Sequence, residues 1–346
     1  MKEGWTYRKL GDVCDIICGQ DYKAVQDDKG PFPIYGTGGI IGYASQSRCP
    51  AYSVIIGRKG SINNPLFVEQ PFWNVDTAFG VVPNQTQIQP KYFYYFCKDY
   101  DFTKHDVSVT IPSLRRTDLL KIQVPVPPLV EQECIVAELD LLQGIIDKQK
   151  AQLKGLDTLA QSIFYDMFGD PVENEKGWEE EHLGEVCSLK AGKSIKAEEL
   201  SESFSNGLYP CFGGNGIRGY IAKKSHEGIF PIIGRQGALC GNVNLAMGPF
   251  YATEHAVVCT PNSQLQPLFL FFALTGMRLN QYAKGVAQPG LAVSNITPLP
   301  IILPPLPLQQ AFATKIEAIE RQKASINASI AETQKLFDYT MDKYFG

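Results

Sequence analysis

The 346-residue sequence is short of several things, and each shortage removes a class of function. No apolar run reaches the ~18 residues of a membrane-spanning helix. The opening stretch, MKEGWTYRKLGD, has no signal-peptide core, so a cytoplasmic location without a membrane partner is expected. Nine cysteines are scattered without a C-x-x-C pair; Cys14 and Cys18 come nearest, and a zinc site would need a second pair. Reduced thiols are therefore expected. The four histidines, His105, His182, His226 and His255, lack metal-ligand spacing, so no metal site is expected.

Catalytic signatures are missing too. Gly192-Lys193-Ser194 ends like a phosphate-binding loop, but that pattern needs glycine at 187, where Cys187 stands. Asn64-Pro65-Leu66-Phe67 has leucine in place of the second proline of an amino-methyltransferase motif, and no glycine-rich cofactor loop precedes it. Asp170-Pro171 has no spaced acid-x-lysine partner of the nuclease kind. The chain is expected to be non-catalytic and to carry no cofactor.

Net positive charge is absent as well, the formal balance being −4. Its distribution matters more than its sum. Residues 1–128 carry 14 basic and 12 acidic side chains, and 129–169 carry 3 and 7. Residues 203–306 carry 6 and 2, while the last 40 residues balance at 5 and 5. Positive charge thus gathers inside two regions, which permits phosphate binding without establishing it.

What the sequence does have is repetition. GWTYRKLGDVCDIICG (4–19) returns as GWEEEHLGEVCSLKAG (177–192), and FPIYGTGGIIGY (32–43) as YPCFGGNGIRGY (209–220). IIGRKG (55–60) returns as IIGRQG (232–237), and PVPPLVEQ (125–132) as LPPLPLQQ (303–310). The offset stays between 173 and 178 residues, too long for a solenoid period. Two related modules are implied, able to address two related but different targets.

Short apolar runs broken by Gly, Pro and Asn make each module β-rich. One short helix is expected in each, at 89–100 and 266–277, where proline opens an apolar stretch. Pro-rich exits then mark the module ends. Beyond the first, Ile135, Leu139, Leu142, Ile146, Gln149, Leu153, Leu156, Ala160, Ile163 and Met167 keep a 4-3 spacing. Beyond the second, Phe312, Ile316, Ile319, Lys323, Ile326, Ile330, Thr333, Phe337, Thr340 and Tyr344 do the same with polar interruptions. A sustained 3.5 period predicts coiled-coil seams; two amphipathic helices of an ordinary bundle are the alternative. The fold class expected is α+β, with β-rich modules at 1–128 and 170–306 alternating with long helices at 129–169 and 307–346.

The module openings GW-x4–5-LG-x-V-C, the P-P-L-x2–3-Q start of each long helix and the helix exit MFGDPVENEKGW (167–178) resemble the specificity subunit of a type I DNA restriction–modification system. The resemblance covers essentially the whole chain. It implies that each module is a target recognition domain reading one half of a bipartite double-stranded DNA site. It implies two helices paired as an antiparallel coiled coil that sets the gap and docks two modification subunits. Those subunits would carry S-adenosylmethionine and methylate adenine, and restriction subunits can join them. A self-sufficient DNA methyltransferase or nuclease and a two-module protein–protein scaffold are the competing readings.

Several side chains are candidates for DNA contact. Arg58, Lys59 and Ser61 sit in a Gly-bounded turn after an apolar strand, as do Arg235 and Gln236 before Ala238. Arginine pairs bidentately with guanine or clamps phosphate, and glutamine suits adenine. A plain hairpin turn is the other reading. Arg115 and Arg116 align with Ala292 and Val293, with Lys284 just upstream of the latter. Thr37 and Asn215 lie in glycine-rich turns, and Arg218, Lys223 and Lys224 suit phosphate.

Overall fold

The structure is a computed structural model that describes residues 4–106, 108, 110–237, 239–285 and 289–346. Ala238, which follows the second arginine turn, lies outside the described residues, as do the first three. The chain forms two compact units, residues 1–150 with 328–346, and residues 151–327.

Among the described residues, the first unit holds a four-stranded antiparallel sheet in the order Cys14–Cys18, Ala78–Pro83, Ser53–Gly57, Leu66–Val68. A three-stranded sheet places Phe32–Gly36 between Gly39–Ala44 and Trp73–Asn74, the last pairing parallel. Thr6–Lys9 pairs with Gln123–Val126, so the two ends of the module close on each other. The strand Ser53–Gly57 is buried throughout, its apolar run Val54, Ile55 and Ile56 preceded by Ser53, whose hydroxyl donates to Pro50 O at 2.8 Å.

The second unit repeats this plan with one change. Val243–Ala252 runs unbroken and joins the equivalents of both sheets into six strands, in the order Cys187–Ala191, Ala256–Pro261, His226–Gly234, Val243–Ala252, Tyr209–Gly213, Gly216–Ile221. In the first unit the same stretch is split between Leu66–Val68 and Trp73–Asn74. Glu180–His182 pairs with Pro300–Ile302 to close the module.

The short helices form at Pro90–Asp99 and Pro267–Gly276, with proline in the first turn. Gln89 and Gln266 cap them through side-chain oxygens. Each capping residue is itself gripped by the glutamine of the P-P-L motif. Buried Gln132 accepts from Gln89 N at 2.7 Å and donates to the carbonyls of Gln87 (3.1 Å) and Pro127 (2.8 Å). Gln309 repeats the pattern with Gln266 N (2.9 Å), Gln264 O (3.0 Å) and Pro304 O (2.8 Å). The motif is therefore a lock between long and short helix.

Both long helices form, Leu129–Phe168 and Leu306–Phe345, 40 residues each. The first ends at Gly169, whose φ of +77° and bond from N to Tyr165 O (2.9 Å) make a left-handed cap. The exit segment continues as side-chain-held turns: Asp170 accepts from Val172 N at 2.8 Å and Asn174 from Trp178 N at 2.8 Å.

At its ends the expected seam is shared with the cores of the modules. Ile135, Leu139, Leu142, Ile146 and Phe337 are buried in the core of the first unit, among Tyr92, Tyr95 and Phe96. Phe312, Ile316 and Ile319 are buried in the core of the second, among Phe164, Phe168 and Phe269. Phe312 meets Phe164 and Phe168 of the other long helix, with ring centroids 5.6 and 5.4 Å apart, and Phe269 of the short helix joins the same cluster, so the helix ends pack on each other and on the modules. Leu153, Leu156, Ile163, Ile326 and Ile330, further along the two stripes, are only half-buried. Within the first unit, Tyr344 donates to Glu138 at 2.7 Å and Gln149 to Ser329 at 2.7 Å, so the two helical segments run in opposite directions there. In the second unit, Lys323 bridges Asp157 and Glu320, each at 2.8 Å.

Candidate nucleic-acid interface

The arginine turns are held by the same backbone bonds in both modules. In the first, Arg58 N donates to Thr77 O (2.8 Å), Leu114 N to Arg58 O (2.9 Å) and Gly60 N to Pro112 O (2.9 Å). In the second, Arg235 N donates to His255 O (3.1 Å), Leu291 N to Arg235 O (2.8 Å) and Gly237 N to Pro289 O (3.1 Å). Gly60 and Gly237 take φ of +79° and +88°, a conformation that favours glycine. Residues 112–114 and 289–291 lie against the two turns. These segments are the other wall of a cradle that fixes where the arginine stands.

In the first module the cradle becomes a cleft of about 570 Å³ lined by Arg58, Arg115, Arg116, Cys18, Ser113 and Thr117, among others. Arg58 lies 5.9 Å from the Phe79 ring centroid and donates to Asp76 O at 3.4 Å. Arg116 Nε donates to Ile16 O at 3.2 Å. Three guanidinium groups in one cleft repel one another, and an anion offsets that repulsion. Lys59 and Ser61 are exposed at the tip of the turn. Arg48, which no sequence pattern marks, donates to the carbonyl of the cleft-lining Cys18 at 2.9 Å.

In the second module Ala292 and Val293 replace the arginine pair, leaving Arg235 as the guanidinium of the cradle. Gln236 and Lys284 both bridge to Gly290, which brings three candidates onto one loop pair. Thr37 and Asn215 sit in tight turns before Gly39 and Gly216, both with positive φ. Asn215 is exposed and accepts from Asn242 at 3.1 Å, while Thr37 is half-buried and its carbonyl accepts from Asn64 at 3.4 Å. Arg218 is exposed, its stem lying over Gly213.

The two lysines expected to meet phosphate are engaged within the unit. Lys223 pairs with Glu199 and lies 5.4 Å from the Tyr251 ring centroid; Lys224 pairs with Glu227. The hydrogen bond from Lys223 holds the Glu199 carboxyl below its ordinary range. Such exposed pairs are screened by water and weak enough to give way to a phosphate. Among the described residues no group of His, Cys, Asp and Glu is arranged to hold a metal ion, and no helix is long and apolar enough to cross a membrane.

Residues 2–156 and 175–334 each match the type I restriction modification DNA specificity domain. The chain belongs to that family. Among its specificity-subunit relatives, it is 44% identical over 155 residues to the type I restriction enzyme EcoprrI specificity subunit of Escherichia coli, a match covering 44% of this chain and 39% of that protein. It is 25% identical over 338 residues to the MjaIX specificity subunit of Methanocaldococcus jannaschii, covering 86% and 75%. The fold matches the crystal structure of the type I S subunit from M. genitalium with a TM-score of 0.65 and 17% identity, over 99% of this chain and 96% of that one.

Proposed function

We propose that the chain is the non-catalytic, DNA-reading subunit of a type I restriction–modification complex. Each module reads one half of a bipartite double-stranded site. The two long helices pair along their length as an antiparallel coiled coil that sets the gap. Their outward faces dock two methyltransferase subunits carrying S-adenosylmethionine, with restriction subunits joining that core.

The observation that carries this reading is the duplicated cradle. The same backbone bonds hold Arg58 and Arg235, while Lys59 beside the first is replaced by Gln236 beside the second. Same presentation with different neighbours is what two unlike half-sites require. The helices support the ruler. Forty residues span ~60 Å, roughly 17 base pairs at 3.4 Å each. Joining two weak readers in one chain also raises affinity through effective concentration. Exposed Leu141, Leu159, Leu336 and Tyr339 give the helices apolar surface for a partner.

The test is genome-wide adenine methylation in cells making this chain with a type I methyltransferase subunit, against cells lacking the chain. A split motif present only with the chain is expected. Co-purifying, soluble partners that produce no motif would defeat the reading and favour a protein scaffold.

A further inference from the structure

In both modules a third loop closes against the arginine turn and carries an acid that no sequence pattern marks. It is Asp76-Thr77 in the first and Glu254-His255 in the second. The second residue of each pair accepts the arginine's backbone N–H. In the second module this loop also meets the glycine turn. Thr253 N donates to Phe212 O at 2.9 Å, and a Cβ on Gly214 would stand 3.3 Å from Gln236 O and 3.5 Å from His255 O. Arg235, Gln236, Asn215 and Glu254 are thereby gathered at one end of the module.

Neither acid serves its neighbouring arginine. Arg58 turns to the backbone carbonyl of Asp76, and among the described residues no ion pair joins Arg58 to Asp76 or Arg235 to Glu254. Glu254 Oε1 stands 3.3 Å from His255 Nε2, and the two side chains are 41% and 37% exposed. Glu254 Oε2 and His255 Nδ1 are buried without a hydrogen-bond partner among the described residues. Turning the carboxylate outward therefore breaks no bond at Oε2.

A carboxylate beside DNA is repelled by phosphate, so its position is favourable only where it meets a donor. The donors of the major groove are the exocyclic amino groups, cytosine N4 and adenine N6. We propose that Glu254 is a specificity-determining residue that accepts a hydrogen bond from such an amino group in the second module's half-site. His255 is its positioning residue, and Asp76 holds the corresponding place in the first module. This rests on the DNA-reading function proposed above.

The test uses the full chain with its methyltransferase partner and a pool of duplexes randomised across the site. Wild type is expected to select a split motif. Glu254→Ala should flatten one position of one half-site, with discrimination there falling about tenfold or more, and leave the other half intact. Glu254→Gln separates the two bases, because a carboxamide pairs with adenine. An adenine position keeps its preference and a cytosine position shifts to adenine. His255→Ala should weaken the same position alone at unchanged melting temperature, and Asp76→Ala should act on the opposite half. An intact motif in both Glu254 variants, or equal weakening at every sequence, would overturn the assignment. Wild type selecting no split motif would instead defeat the function on which it rests.

Discussion

Replacing Arg115 and Arg116 by alanine makes the first cleft resemble the second, where Ala292 and Val293 stand at those positions. Both arginines are exposed and line the cleft with Arg58, the geometry of a phosphate clamp. Each phosphate contact contributes about 0.9 to the slope of log affinity against log salt, so two contacts contribute about 1.8. From 50 to 200 mM salt, wild type should lose about 12-fold more affinity than the double variant. Fluorescence anisotropy of a labelled cognate duplex with the assembled complex, titrated across that range, measures the difference. The selected motif should not change. In the opposite direction, Ala292→Arg, at an exposed position, should steepen the slope by about 0.9. An unchanged slope in both variants would refute the clamp. A changed first half-site at constant slope would show that the arginines read bases instead.

Three further outcomes follow from the structure. Gln132→Ala removes three hydrogen bonds from buried surroundings and should destabilise the first unit by about 2–4 kcal/mol, with Gln309→Ala doing the same to the second; denaturant melts followed by unit-specific probes test this, and equal loss from half-buried Gln143→Ala would undo the lock. Cys18 and Cys134 are exposed, whereas burial pushes the Cys49 thiol up to about 12, so native-state alkylation should label the first two and spare Cys49. Bound DNA should protect Cys18 but not Cys134, and equal labelling with and without DNA would place the cleft away from the interface. Deleting one heptad from each long helix shortens it by roughly 10 Å and should shorten the gap in the methylated motif by about 3 base pairs, an unchanged gap removing the ruler.

Much of the fold was legible because duplication prints each signal twice. The repeated openings, the Pro-led short helices and the 4-3 stripe all mark elements that form, and the stripe from Ile135 to Met167 lies within the helix Leu129–Phe168. The stripe did not reveal what its residues touch. Periodicity reports that one face is apolar, and Ile135 or Phe312 packs against an aromatic helix as readily as against a second coil. Site residues next to a repeated motif were visible, and Arg58, Arg115 and Arg116 do share a cleft. Arg48 and Glu254 were not, because what places them is a loop contact with strands distant in sequence. The ion pairs of Lys223 and Lys224 were hidden for the same reason in the first case, Glu199 lying 24 residues away.

The way the units are cut from the chain has a consequence for synthesis. Residues 151–327 form one uninterrupted stretch, whereas the other unit is assembled from segments on either side of it, since Phe337 and Met341 belong to its core. A ribosome therefore releases everything the second unit requires before it delivers the last pieces of the first. The module translated earlier is finished later, with part of its apolar surface open until residues 328–346 follow. A frameshift after residue 330 would leave residues 1–150 correctly encoded and still strip Phe337 and Met341 from their core, while residues 151–327 kept theirs.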